Sequence, residues 1–93
     1  MNLKLEKWKA IGTLIRSARV KKNLSQIEVA RHMGMDNSQF ISLIESGKSA
    51  LPLNYVKPLC EFLDVSPSRI KKIHKYYFGK MYDQAVNSEL MIE

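Results

Sequence analysis

The sequence predicts an all-α domain of five helices, and three observations predict it. Apolar residues recur at spacings of three and four in five successive segments. Short stretches holding Asn, Gly, Asp or Ser separate those segments, and these residues start and stop helices. No segment alternates apolar and polar residues as a half-buried strand does, there is no internal repeat, and four glycines and three prolines are too few for a loop-rich build. Ninety-three residues leave room for one hydrophobic core, so residues 1–93 are read as a single domain.

The first helix is expected from about Lys7 to Lys21, with Trp8, Ile11, Leu14, Ile15 and Ala18 on one face. Lys22–Asn23 ends it, because Asn tolerates the left-handed backbone of a helix C-terminus. The second helix begins at a capping box. The Ser25 hydroxyl accepts the Glu28 amide proton and the Glu28 carboxylate accepts that of Ser25, with Leu24 and Val29 placed as the hydrophobic staple across it. Such a cap contributes roughly 1 kcal/mol. Ile27, Ala30 and Met33 form the expected inner stripe, and Gly34 closes the helix.

A turn, Met35-Asp36-Asn37, leads into a third helix that runs to about Ser46 and stops at Gly47. Phe40, Ile41 and Ile44 point inward. Gln39, Ser42, Leu43 and Ser46, spaced i, i+3, i+4 and i+7, make a single outer stripe. That stripe is unusual, since solvated helix faces are filled with Lys and Glu. Gln and Ser hydrogen-bond base edges, and a leucine tip meets a thymine methyl. The plain alternative is a helix that is simply uncharged. The fourth helix is expected over about Asn54–Leu63, with Val56, Leu59, Cys60 and Leu63 inward and Pro58 close to the end of the first turn. The fifth starts with Ser66 as cap and Pro67 at the first helical position. It runs to about Val86, with Ile70, Ile73, Tyr77, Met81 and Ala85 along one side. That length exceeds what the core needs, so part of it packs back on the core or meets a second chain.

Fifteen Lys+Arg against nine Asp+Glu give a net charge of +6. The charge is segregated: +6 over residues 1–24, −2 over 25–65, +5 over 66–80 and −3 over 81–93. Basicity alone fits nucleic acid or a membrane surface. Two basic blocks flanking a nearly neutral centre suit phosphates held from the sides and bases read from the middle, although each block is also what a solvated helix face looks like.

The same residues exclude several classes. The single cysteine, Cys60, rules out a disulfide framework and a cysteine zinc site and suits a reducing, cytoplasmic location. No apolar run approaches the ~18 residues of a membrane span, and residues 1–10 lack the apolar stretch of a signal peptide. His32 and His74 stand alone, without ligands at metal spacing. No serine–histidine–acid set has a pocket to work in, so neither catalysis nor a cofactor is expected. Tyr76, Tyr77 and Phe78 cannot share one helix face, which favours core or dimer packing over base stacking.

The segments Leu24-Ser25-Gln26-Ile27-Glu28-Val29-Ala30, Met33-Gly34 and Ile44-Glu45-Ser46-Gly47-Lys48 resemble the Cro and phage-repressor class of helix-turn-helix proteins, the xenobiotic-response-element family. The resemblance spans about Ile11 to Ile70. It implies a lambda-repressor-like fold with an extended C-terminal helix, and a transcriptional regulator, most simply a repressor, that binds double-stranded DNA. It further implies a homodimer on inverted half-sites ~34–36 Å apart. The helix-turn-helix core is placed at about 7–70. Residues 66–93 are left for association, with Ile73, Tyr77 and Met81 as the candidate dimer interface.

By the same resemblance the third helix is the recognition helix, with Asn37, Ser38, Gln39, Ser42 and Leu43 as base-contacting candidates. Ser25, Gln26, Ser46 and Lys48 match phosphate-contacting positions, and Arg19 and Glu45 match an ion pair tying the first helix to the end of the third. Between Gly34 and Glu45 the chain is one residue longer than the common pattern. Which of Asn37, Ser38 and Gln39 meets a base is therefore open by one position. Two other readings stand beside this one: an antitoxin-like module whose last helix and acidic tail cover a protein partner, and an RNA-binding regulator.

Overall fold

A computed structural model describes residues 2–92, with side chains from 2 to 88. Five helices follow one another: α1 (Leu3–Lys21), α2 (Gln26–His32), α3 (Gln39–Glu45), α4 (Leu53–Leu63) and α5 (Pro67–Ile92). The architecture is all-helical, with no strand among the described residues.

Four of the helices end the same way. Asn23, Gly34, Gly47 and Asp64 each adopt a left-handed backbone, at φ between 56° and 80°. The residue after each turns its amide back to a carbonyl five residues earlier: Leu24 to Arg19, Met35 to Ala30, Lys48 to Leu43 and Val65 to Cys60, at 2.9–3.2 Å. This Schellman closure satisfies the orphan carbonyls of each last turn and reverses the chain within two or three residues. Short reversals of this kind let five helices close on one core.

That core is a single cluster in which Ile11 and Ile15 of α1 meet Val29 and Ala30 of α2, Ile41 and Ile44 of α3, Leu59, Cys60 and Leu63 of α4, and Ile70 of α5. In α2 the fully buried pair is Val29–Ala30, while Ile27 and Met33 are half-buried at its edge.

Two boundaries and the position of Pro58 differ from expectation. α1 begins at Leu3, not Lys7, because the Asn2 side chain accepts the Leu5 amide at 3.0 Å and Leu3, two turns before Ile11, is itself buried. Pro58 lies in the second turn of α4, beyond the free amides of the first. The helix continues through it with Pro58 and Asn54 both exposed, so the carbonyl that loses its partner faces water. α5 extends to Ile92, a rod about 39 Å long at 1.5 Å per residue. Ile70 is buried and Ile73, His74, Tyr77 and Met81 are half-buried, whereas every residue from Tyr82 to Ser88 is exposed. The molecule measures 53 × 23 × 22 Å along its principal axes, because half of one helix has left the body.

Candidate nucleic-acid interface

Two seven-residue helices and the turn between them build the site. α2 opens with the full capping box: the Ser25 hydroxyl accepts the Glu28 amide at 3.1 Å and the Glu28 carboxylate accepts the Ser25 amide at 3.0 Å. The second bond, with the hydroxyl contact beside it, holds the Glu28 pKa below its ordinary value. α3 starts at Gln39, so Asn37 and Ser38 stand in the turn before it. Ser38 occupies the cap position with a helical backbone and makes no side-chain capping bond. Asn37 takes that duty from one residue further back, its Oδ1 accepting the Gln39 amide at 3.0 Å. The additional residue of this turn is thereby accommodated before the helix, and Ile41 and Ile44 stay buried in phase.

The outer stripe faces outward. Gln39, Ser42 and Ser46 are exposed and Leu43 is half-buried. The Ser46 hydroxyl donates to the Leu43 carbonyl at 3.1 Å, which leaves its oxygen free to accept. The Gln39 side chain has no hydrogen-bond partner among the described residues, so both its donor and its acceptor remain available. Asn37 has spent its oxygen on the helix start and keeps its amide donors; Ser38 is half-buried. Phe40, at the edge of the inner face, rests on Tyr55 with ring centroids 5.4 Å apart.

Three side chains and one carbonyl lock α3 in place. Arg19 meets Glu45 in a two-pronged pair, Nε to Oε2 at 2.6 Å and Nη2 to Oε1 at 2.9 Å, while its Nη1 donates to the Leu24 carbonyl at 2.7 Å. Gln26 Nε2 adds a bond to Glu45 Oε1 at 3.1 Å. The Glu45 side chain is only 4% exposed. A carboxylate so buried is tolerated because every oxygen is partnered and its charge is neutralised. Hydrogen bonding to Glu45 raises the Arg19 pKa further, overcoming the opposing effect of burial. The one acid of α3 is therefore withdrawn from the surface, and its outer side presents no negative charge. Gln26, matched above to a phosphate position, spends one of its two Nε2 protons on this lock, and its backbone amide stands at the start of α2.

Two glycines set the closeness of α1 and α3, and the sequence reading passed over Gly12. A Cβ on Gly12 would collide with the backbone of Ile44 and stand 2.6 Å from the Glu45 carbonyl oxygen. A Cβ on Gly47 would stand 2.6 Å from the Lys9 side chain and 2.8 Å from its Cα. The signal was present: glycine inside a helix costs about 1 kcal/mol relative to alanine, so an interior glycine marks a close approach. Lys48 is exposed just beyond Gly47.

The remaining candidates lie elsewhere. His32 stacks on Phe62 with centroids 3.7 Å apart and planes 7° from parallel. His74 meets the edge of Trp8 at 5.5 Å, and burial together with nearby Lys7 lowers its pKa. Ile73 packs against the core, and Tyr77 and Met81 are half-buried along the same side of α5.

Comparison with known protein families matches residues 15–70 to the helix-turn-helix model, from the middle of α1 to the first turn of α5. Comparison with curated proteins returns no match. No helix among the described residues is long and apolar enough to cross a membrane.

Proposed function

The chain belongs to the Cro and phage-repressor class of helix-turn-helix proteins, which makes it a DNA-binding regulator, and from that premise we propose that it is a transcriptional repressor binding an inverted repeat as a homodimer. The observation that carries the reading is the exposed, uncharged outer side of α3, whose only carboxylate is buried against Arg19. Such a surface approaches bases without repelling phosphates, and short polar side chains read them.

In this reading α3 enters the major groove, with Gln39 placed for the two-pronged contact to adenine and Asn37, Ser38, Ser42 and Leu43 around it. Ser25, the backbone amide of Gln26, Ser46 and Lys48 hold phosphates on either side. Residues of about 7–70 do the reading and the rest of α5 serves association, in the cytoplasm, with DNA as the partner and no catalysis or cofactor. Selecting bound duplexes from a random pool at defined salt tests the proposal. An enriched inverted repeat with fixed spacing, its half-sites ~34–36 Å apart, is expected. A pool that stays random, or a lone half-site, contradicts it.

A second reading rests on the exposed distal half of α5: a protein partner covers it, as in an antitoxin that also represses its own operon. Co-expression with the product of the neighbouring gene decides it, since a stoichiometric complex is required.

A further inference from the structure

The groove between α4 and α5 is apolar and open. Leu53 and Val56 of α4 and Ile70 of α5 form one end of it, and a second depression beside α1 continues it past Phe78 to Met81. The two meet at His74 and Lys75, which line both. Between Pro67 and Met81 the groove follows α5 for about 21 Å, at 1.5 Å per residue. Leu53 is 88% exposed and Phe78 71% exposed. Large apolar side chains left in water along so long a groove mark a surface for a partner. The charged side chains lining it are all lysines: Lys71 and Lys75, one turn apart on α5, and Lys7 of α1. His74, between them, is mostly neutral at pH 7, because burial and nearby Lys7 lower its pKa.

We propose that this groove takes an acidic amphipathic helix of another protein, about fourteen residues long, apolar on one side and carrying Asp or Glu along its edges. Three features select that occupant. The walls are helices, whose amides and carbonyls are bonded within themselves. They offer no edge to an extended strand, so the occupant must satisfy its own backbone, as a helix does. Length is the second feature: a small molecule lodged at one end leaves the apolar residue at the other end in water, whereas about four turns of helix run the whole groove. Charge is the third. Lysines unrelieved by any acid attract carboxylates and repel a basic segment, so the rim chooses the sign of its partner.

This surface goes beyond both readings above. None of its residues belongs to the base- or phosphate-contacting set, and of the candidate dimer residues only Met81 borders it. It lies on the near half of α5 and leaves the exposed stretch from Tyr82 to Ser88 for association. A chain so built holds DNA with α3 and a second protein with α4 and α5 at the same time.

Fluorescence anisotropy of the full chain with a labelled synthetic peptide tests the proposal without DNA, and so apart from base reading. The peptide is a helix of about eighteen residues with leucines at i, i+4, i+7 and i+11 and glutamates along both edges. Its controls are a twin with lysine for glutamate and a scramble of the same composition. The acidic helix is expected to bind with a Kd on the order of 10 µM, and both controls at least about tenfold more weakly. Leu53→Ser weakens the acidic helix about tenfold by removing an apolar anchor. Lys71→Glu combined with Lys75→Glu weakens it about tenfold and strengthens the lysine twin. All three positions are exposed, so these variants keep the fold; Lys48→Ala, outside the groove, leaves the affinity unchanged. A scramble that binds as well as the helix, or Leu53→Ser or the lysine reversals without effect, overturns the proposal. So does a lower sedimentation mass for Leu53→Ser than for the native chain without peptide, which would put a second copy in the groove.

Discussion

The junction of α1 with α3 and the far half of α5 are built on opposite terms. At the junction a glycine backbone touches α3, a buried carboxylate has all its bonds made, and no further side chain fits. From Tyr82 to Ser88 the last helix is exposed on every side, and the rings of Phe78 and Tyr82 stand in water. The first region is closed within the chain and the second is left to solvent. A helix that reads bases must be held still, because a small displacement costs its contacts. Under the proposed function, the difference gives rigidity to recognition and leaves the far half of α5 for association.

The sharpest break falls at the junction. Arg19→Met leaves Glu45 buried without its cation and is expected to cost about 3–5 kcal/mol in urea unfolding. Gly12→Ala pushes a methyl group into the α3 backbone, and overpacking of this kind costs about 3 kcal/mol; an unchanged midpoint would mean the helices part freely. Ser25→Ala removes one half of the α2 cap for about 1 kcal/mol. At the other extreme, Phe78→Ser at concentrations where the chain is monomeric changes stability by less than about 0.5 kcal/mol. A larger loss would show that α5 is already packed. Acid probes the cap in a finer way. The Glu28 carboxyl lies below its ordinary value of 4.5, so the stability it adds is present above that pH and is lost as the pH falls below it. Glu28→Gln is therefore expected to flatten the fall in thermal midpoint that the native chain shows on acidification.

Much of this was legible beforehand, and the parts that were not share a cause. Ser25 with Glu28, the glycines at 34 and 47 and the inward phase of Ile41 and Ile44 follow from local chemistry, and local chemistry is what a sequence displays. Asn2 and Leu3 were missed because lysines interrupt the apolar stripe there, although Leu3 stands in register with Ile11. The inward turn of Gln26 was missed because its partner, Glu45, is nineteen residues away. Gly12 was passed over because its reason is another helix's backbone. Tyr77 and Met81 share a stripe with Ile73, which packs on the core, and that leaves Phe78 and Tyr82 as the rings standing furthest into solvent. Which of two adjacent apolar stripes faces the core is a tertiary question that spacing alone does not answer.

The central claim is that the outer side of α3 reads bases while charge elsewhere holds the backbone. Its most direct test measures affinity against salt for native chain and Gln39→Ala, on the selected duplex and on single-base variants of it. Base reading predicts that the substitution removes about 1–3 kcal/mol of discrimination at one position and leaves the salt slope unchanged, whereas Lys48→Ala lowers the slope by about 1 and spares discrimination. Equal weakening of Gln39→Ala on every duplex would contradict it.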